Sequence, residues 1–150
     1  KGYGVGAQVF AVQKSGDGGW STSDPIWPDA NSGRRVLKTK LSNVAIRDGF
    51  VYGLDDGMLQ CVEMATGKSM WKQGRFGHGQ QLLVDDLLLI LHETSGEVAL
   101  VEATPQAFRQ LGEFSALGRR KAWNNLCLVG RRLLVRNDEE AACYELPVAP

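Results

Sequence analysis

Residue types that support metal binding or thiol chemistry are sparse in this chain. It contains three cysteines, Cys61, Cys127 and Cys143, and two histidines, His78 and His92. An odd number of cysteines without a C-x-x-C spacing argues against a disulfide framework and against a zinc site. Neither histidine sits in a metal-ligand spacing. We therefore predict no metal, no cofactor and no catalytic residue, and we expect the three thiols to be free and buried.

Other patterns that carry chemistry are absent or better explained by structure. The chain has no G-x-S-x-G segment for a nucleophilic serine. The stretch GYGVGA at residues 2–7 is similar to a dinucleotide-binding loop, but the alternating segment AQVFAVQ follows where that loop requires a helix. We assign its glycines to a tight turn or a close backbone approach. The aspartate pairs 55–56 and 85–86 fall at predicted turns, where aspartate is conformationally favoured.

Composition excludes several classes of partner. Seventeen basic residues balance seventeen acidic ones, so the chain lacks the net charge that attracts nucleic acid or an anionic membrane. The longest uninterrupted aliphatic run is Leu87 to Leu91, far below the ~18 residues of a spanning helix, so we predict no membrane insertion. The hydrophobic content of 43% over 150 residues is enough for one ordinary core. Because the chain begins at Lys1 without a signal peptide or lipidation motif, we take it as a trimmed or truncated product.

An internal repeat organises the chain. The segment NVAIRDGFVYGLDDGMLQCVEMATG consists of strand-like runs separated by Asp-Gly and Thr-Gly turns, and two later segments, from Gln80 and from Asn124, keep the same order. The aligned positions are Ile46 with Leu83 and Leu128, Val51 with Leu88 and Leu133, and Cys61 with Leu100 and Cys143. The last set is spaced by 39 and 43 residues. In an earlier and weaker unit, Gln13 takes the position of Glu63.

A repeat of roughly 40 to 50 residues with about four short strands is typical of a β-propeller blade. We predict an all-β chain that forms a single partial β-propeller domain, with antiparallel blade units at approximately 1–34, 35–74, 75–117 and 118–150. The last unit lacks an outer strand. The best helical candidate, residues 105–111, is interpreted as a short inserted turn.

Two tryptophans have a predicted role in joining the blades. A single blade cannot bury both of its faces, and its outermost strand therefore needs a large flat residue that packs on the next blade. Trp71, reached after the tight reversal at Gly67, is predicted to be that residue. Trp27 is predicted to do the same in the preceding unit.

The segment CVEMATGKSMW at residues 61–71 resembles the A-x-D-x-x-T-G-K-x-x-W docking motif of pyrroloquinoline-quinone-like (PQQ-like) propeller repeats. The residues that match directly are Thr66, Gly67, Lys68 and Trp71, while Cys61 stands for the alanine and Glu63 for the aspartate. The motif is degenerate in LVEATPQAF and truncated after CYELP. The chain is similar to the C-terminal part of such a repeat protein, with roughly three to four blades of a ring that usually holds about seven or eight.

This resemblance implies partners, a location and two alternative functions. Uncovered blades would need a protein partner, or self-association of two copies, to complete the ring. Many relatives are exported, which implies the periplasm or cell envelope. Some relatives are quinoprotein dehydrogenases, which use Ca²⁺, an aspartate base and often a disulfide between adjacent cysteines over the quinone. This chain has no adjacent cysteines, so a quinone site would lie in blades outside it.

One constellation is a candidate binding site. In a propeller, the segments that enter the innermost strands line one mouth of the central channel. The repeat places amides there, Asn43, Gln80 and Asn125, with His78 and Trp123 two positions earlier. Lys38, Lys40, Arg75 and Lys121 would add positive potential. The alternative interpretation is that these amides bond strand-end backbone groups and channel water.

Three functions remain open at this level. The preferred one is a non-catalytic PQQ-like propeller module that acts as a binding or assembly scaffold for an unknown partner. The second is a fragment of a PQQ-dependent dehydrogenase whose cofactor site lies elsewhere. The third is a purely structural domain that completes a larger envelope-associated assembly.

Overall fold

A computed structural model describes residues 5–28 and 35–147, which form thirteen β-strands. The strands are β1 Val12–Lys14, β2 Trp20–Thr22, β3 Ala45–Arg47, β4 Phe50–Asp55, β5 Met58–Glu63, β6 Ser69–Arg75, β7 Gln80–Val84, β8 Leu87–Leu91, β9 Glu97–Glu102, β10 Gln110–Ser115, β11 Cys127–Val129, β12 Arg132–Arg136 and β13 Ala141–Glu145. These two ranges contain no helix at all, and hence none that is long and apolar enough to cross a membrane.

Consecutive strands pair in antiparallel order to form four sheets. Sheet 1 contains β1 and β2, sheet 2 contains β3–β6, sheet 3 contains β7–β10, and sheet 4 contains β11–β13. The expected all-β class is therefore confirmed. Sheet 4 has three strands within the described residues, as the missing outer strand predicts. Residues 105–109 are irregular, and β10 begins directly after them.

Sheets 2, 3 and 4 share the pairing register that the repeat alignment predicts. The equivalent rows are Ile46–Val51–Val62, Leu83–Leu88–Val101 and Leu128–Leu133–Tyr144. The first unit was aligned wrongly. Val9 forms a β-bridge with Trp27 in the same way that Cys61 pairs with Trp71, so Val9 is the counterpart of Cys61. Two residues further along, Ala11, and not Gln13, takes the position of Glu63.

Successive sheets stack face to face, and the core lies between them. Each sheet has a forward face, toward the sheet that follows in the chain, and a rear face. The forward face of sheet 2 meets the rear face of sheet 3 in a cluster that includes Tyr52, Leu54, Leu59, Leu88, Ile90 and Val101. The forward face of sheet 3 meets the rear face of sheet 4 in a second cluster, which includes Leu89, Leu91, Val98, Leu133 and Val135. Burial of both faces explains why the central strands are almost continuously apolar.

The tight turns use residues that tolerate a left-handed backbone. Asp48-Gly49 and Asp56-Gly57 both have positive φ at the two central positions, as two-residue hairpins with type I′ turns require. Gly6 also has a positive φ, and a Cβ atom there would lie 2.9 Å from the Val36 carbonyl oxygen. Gly6 therefore allows a close backbone approach, whereas Gly2 and Gly4 lie outside the described residues.

Two tryptophans connect neighbouring sheets. The Trp27 indole N–H donates to the Met64 carbonyl of sheet 2 at 2.5 Å, and its ring lies against Gly67. The Trp71 indole N–H donates to the Thr104 carbonyl beyond β9 at 2.9 Å, and its ring meets Phe108 edge-on at a centroid distance of 5.8 Å. Both tryptophans thus pack on the next sheet in the chain.

The turn between β5 and β6 presents Gly67 to Trp27. Thr66 Oγ1 donates to the Glu63 carboxylate, and the Lys68 amide donates to Thr66 Oγ1 at 3.2 Å. The Gly67 amide closes the turn on the Glu63 carbonyl at 2.9 Å. These bonds explain the spacing of the docking segment, because they hold Gly67, which has no Cβ atom, against the indole ring of Trp27.

The prediction of three buried thiols was wrong for two of them. Cys61 is fully buried between sheets 2 and 3, whereas Cys127 and Cys143 are exposed. Both lie on the forward face of sheet 4, which no other described residues cover. Tertiary position, rather than residue type, decides their exposure.

Replacing Gly67 by alanine tests the tryptophan contact. A Cβ atom at this position would meet the Trp27 ring at 2.8 Å, and φ is +69°. We expect the free energy of unfolding to fall by about 2–4 kcal/mol, from backbone strain and overpacking together. Gly49→Ala is the control, because φ is +81° but no atom lies within 4 Å, so about 1–2 kcal/mol is expected. Equal losses in urea denaturation would contradict the contact.

Candidate functional site

The first strands of sheets 2 and 3 and the segment before β11 line an open surface cavity of about 420 Å³. Its lining residues are Asn43, Val44, Ala45, Ile46, Gln81, Leu82, Leu83, Asn125 and Leu126. These short first strands pair on one side only, which leaves side chains such as Ile46, 55% exposed, facing the cavity. Two of the predicted amides, Asn43 and Asn125, thus lie on one cavity although 82 positions separate them.

The third predicted amide is placed differently. The Gln80 side chain is 1% exposed, and its Nε2 donates to the Leu41 carbonyl at 2.6 Å. Its neighbour Gln81 lines the cavity instead, and its Nε2 donates to the carbonyls of Tyr52 at 2.7 Å and Asn43 at 3.1 Å. Gln80 and Gln81 therefore bond backbone groups, as the structural interpretation of the amides expects. The exposed Asn43 and Asn125 are the polar side chains that remain for a ligand.

Glu93 brings His78 and Trp123 together. The His78 backbone amide donates to Glu93 Oε2 at 2.9 Å, and the Trp123 indole N–H donates to Glu93 Oε1 at 3.0 Å. The Lys121 ammonium lies 5.0 Å from the centre of the Trp123 ring. Burial alone would raise the pKa of Glu93, but the two hydrogen bonds outweigh it and hold the pKa below its usual range. Sequence reasoning missed this carboxylate.

The Glu93 contact repeats in each of the three larger units. A carboxylate at the turn between the second and third strands accepts a backbone N–H from the segment that enters the same sheet. In sheet 2, Asp55 accepts from Lys38 at 2.6 Å, and in sheet 4, Glu140 accepts from Gly118 at 2.5 Å. Each carboxylate thus anchors an entering segment, and all three of these segments lead to residues that line the cavity.

Two cations predicted around the mouth share one carboxylate. Lys38 Nζ lies 2.5 Å and Lys40 Nζ 3.4 Å from the carboxylate of Asp56. The hydrogen bond from Lys38 lowers the pKa of Asp56, which keeps the carboxylate ionised. The positive potential expected from these two lysines is therefore reduced by one of their two charges.

The chemistry open to the cavity is recognition. None of its nine lining residues is titratable, so the lining can donate and accept hydrogen bonds and make apolar contacts. It offers no side chain for proton transfer or nucleophilic attack. Whether Asn43, His78, Gln80, Trp123 and Asn125 act together in binding stays a prediction.

Two comparisons with known protein sequences find no match for the chain. No family model matches the chain, and no curated protein matches it significantly.

Gln80→Ala and Asn125→Ala separate the two kinds of amide. Loss of the buried Gln80 leaves the Leu41 carbonyl without its donor and opens a void, so we expect the free energy of unfolding to fall by about 2–3 kcal/mol. The exposed Asn125 should change it by less than about 0.5 kcal/mol. Chemical denaturation followed by circular dichroism measures both, and the reverse order would contradict these placements.

Glu93→Ala tests the anchoring carboxylate. It removes an acceptor that serves two donors, and hydrogen bonds to a charged group are strong, so a loss of about 2–4 kcal/mol in unfolding free energy is expected. Glu139→Ala is the matched control, because its pair with Arg120 is exposed and should contribute less than about 1 kcal/mol. A Glu93 variant as stable as the control would show that the anchor is dispensable.

Proposed function

We propose that this chain is a non-catalytic module of the PQQ-like β-propeller type, that it acts as a binding and assembly scaffold, and that its first assembly partner is a second copy of itself. The docking segment at 61–71 and the tryptophan contacts between successive sheets support the propeller assignment. The observation that carries the proposal is the uncovered forward face of sheet 4.

The centre of this forward face is apolar like an internal sheet face, while alternation places the charged residues Arg132, Arg136 and Glu145 toward its edges. Its central row, set by strand pairing, is Cys127–Leu134–Cys143. In sheet 3 the equivalent row is Leu82–Leu89–Leu100, which packs on sheet 4. In sheet 4 Leu134 is 44% exposed, and the row lines a groove of about 380 Å³ together with Ala141. A sheet face with an exposed apolar row of this kind is suited to packing against another sheet.

Sheet 1 carries the complementary surface. Alternation along β1 and the pairing of Lys14 with Trp20 place Val12, Lys14 and Trp20 on one face of sheet 1. Val9 packs with Val51 and Val62 of sheet 2, so we assign the face with Val12, 59% exposed, and Trp20, 71% exposed, as the rear face. Inside the chain, every forward face that is covered meets the rear face of the following sheet. Among the described residues, the forward face of sheet 4 and the rear face of sheet 1 have no neighbouring sheet. One is a forward face and the other a rear face, so they can pair as the faces inside the chain do.

A second copy satisfies both faces at once. The forward face of each copy would meet the rear face of the other, and two such head-to-tail contacts close a two-fold ring without leaving an open end. Stacking would also cover the apolar surface that favours aggregation. Asn125 lines both the cavity and the groove on the forward face of sheet 4, so a second copy on this face would lie beside the cavity, while Asn43 at the first strand of sheet 2 would stay accessible.

The experiment is a pair of charge substitutions, one on each face. Leu134→Glu and Trp20→Glu each place a carboxylate in both contacts of the ring, so each variant alone should be monomeric by light scattering over a dilution series in which the wild type is dimeric. When the two variants are mixed, one of the two contacts is intact, and partial recovery of the dimer is expected. Only a head-to-tail arrangement gives this recovery.

Leu111→Glu is the control, since Leu111 is 54% exposed on β10 and lies on neither terminal face. It should leave the dimer unchanged. A wild type that is monomeric at all concentrations, or a dimer that Leu134→Glu does not weaken, would overturn the self-association proposal.

A further inference from the structure

Three side chains with metal-ligand chemistry converge at one end of sheet 3. His92 directly follows β8, Glu97 begins β9, and Glu113 lies within β10. A ring nitrogen of His92 and one carboxylate oxygen of each glutamate all lie within 4.8 Å of one another. The three residues come from three separate stretches of sheet 3 and its turns, and they line neither the cavity nor the terminal faces described above.

Strand pairing explains the convergence. Glu113 pairs with Ala99, two residues after Glu97, so alternation places both glutamates on the same face of sheet 3 as diagonal neighbours. The His92 amide donates to the Glu97 carbonyl at 2.9 Å, which sets the imidazole beside them. The Phe76 ring packs edge-on against the imidazole at a centroid distance of 4.8 Å.

The charges at this place are not compensated within the described chain. No lysine or arginine there forms an ion pair with Glu97 or Glu113. The side chain that contacts the Glu113 carboxylate is a neutral amide, Gln110, at 2.8 Å. Two carboxylates this close repel each other. A bound cation would convert that repulsion into attraction.

The imidazole supplies an independent indication. His92 Nε2 is buried and has no hydrogen-bond partner among the described residues. Buried polar atoms are rarely left unsatisfied, because each one costs the loss of its hydration. An imidazole with one unpartnered nitrogen, whose ring lies beside two carboxylates that form no ion pair among the described residues, is an arrangement that metal coordination can satisfy.

We propose that His92, Glu97 and Glu113 form a binding site for a divalent transition-metal ion, with Zn²⁺ as the best match to one imidazole and two carboxylates. Zn²⁺ binds nitrogen and oxygen ligands at about 2.0–2.2 Å, so neighbouring ligand atoms in a tetrahedral site lie roughly 3.3–3.6 Å apart. The most widely separated of the three atoms must therefore approach by up to roughly 1.2–1.5 Å, to which rotation of the exposed Glu113 side chain contributes. The ion would fasten β8, β9 and β10 at one end of the sheet.

The test uses Zn²⁺ alone, added to the full chain after treatment with a chelator and dialysis. Isothermal titration calorimetry should show one site per chain, and Zn²⁺ should raise the melting temperature. Glu113→Gln is the principal variant, because Glu113 is exposed and the substitution keeps its size; we expect the affinity to fall about 100-fold. His92→Ala should abolish the site, with circular dichroism as the check on folding.

Thiols are the competing ligands, so the Cys127→Ser/Cys143→Ser double variant is the matched control and should bind as the wild type does. Glu145→Gln, an exposed carboxylate on sheet 4, should also bind normally. The proposal is overturned if the wild type takes up no Zn²⁺, if Glu113→Gln and His92→Ala bind as tightly as the wild type, or if removal of the two thiols abolishes binding.

Discussion

The structure depends on one constraint, which is that a sheet with two apolar faces must have a neighbour on each side. Sheets 2 and 3 satisfy it within the chain, and Leu88 and Leu89, adjacent on β8, belong to two different core clusters for this reason. Face-to-face stacking brings the outer-strand tryptophans onto the following sheet and the first strands side by side. The same constraint, unmet at the forward face of sheet 4, is the physical basis of the proposed self-association.

Stacking alone would leave the segments between sheets free, and the repeated carboxylate anchors hold them. Asp55, Glu93 and Glu140 each accept a backbone N–H from the segment that enters their own sheet. Because each acceptor is charged, these bonds are stronger than neutral ones. They define where Asn43, Trp123 and Asn125 can lie relative to the strands. The rigidity of the candidate site is thus a property of turns and carboxylates, while the cavity itself is a property of the first strands.

Much of the fold followed from the repeat, and much of the site did not. Pairing rows such as Leu83–Leu88–Val101 are local consequences of alternation and turn length, so an alignment of strands predicts them. The anchoring carboxylates escaped the same alignment because their hairpins differ in length, which places them four, five and seven residues after the aligned Val51, Leu88 and Leu133. The roles of the amides were still harder to predict from the sequence. Gln80 and Gln81 are adjacent residues of the same type, and only the direction of each side chain decides which of them lines the cavity.

The sequence by itself determined the strands, the turns and the register of sheets 2, 3 and 4, because alternation of side chains and the left-handed tolerance of Asp-Gly pairs act over a few residues. Tertiary structure alone decided which chemically similar residues differ in environment. Cys61 and Cys143 occupy the same repeat position, yet only Cys61 is buried, because a following sheet covers it. His92, Glu97 and Glu113 have no metal-ligand spacing along the chain. They meet because strand pairing sets the distance between side chains independently of their separation in sequence.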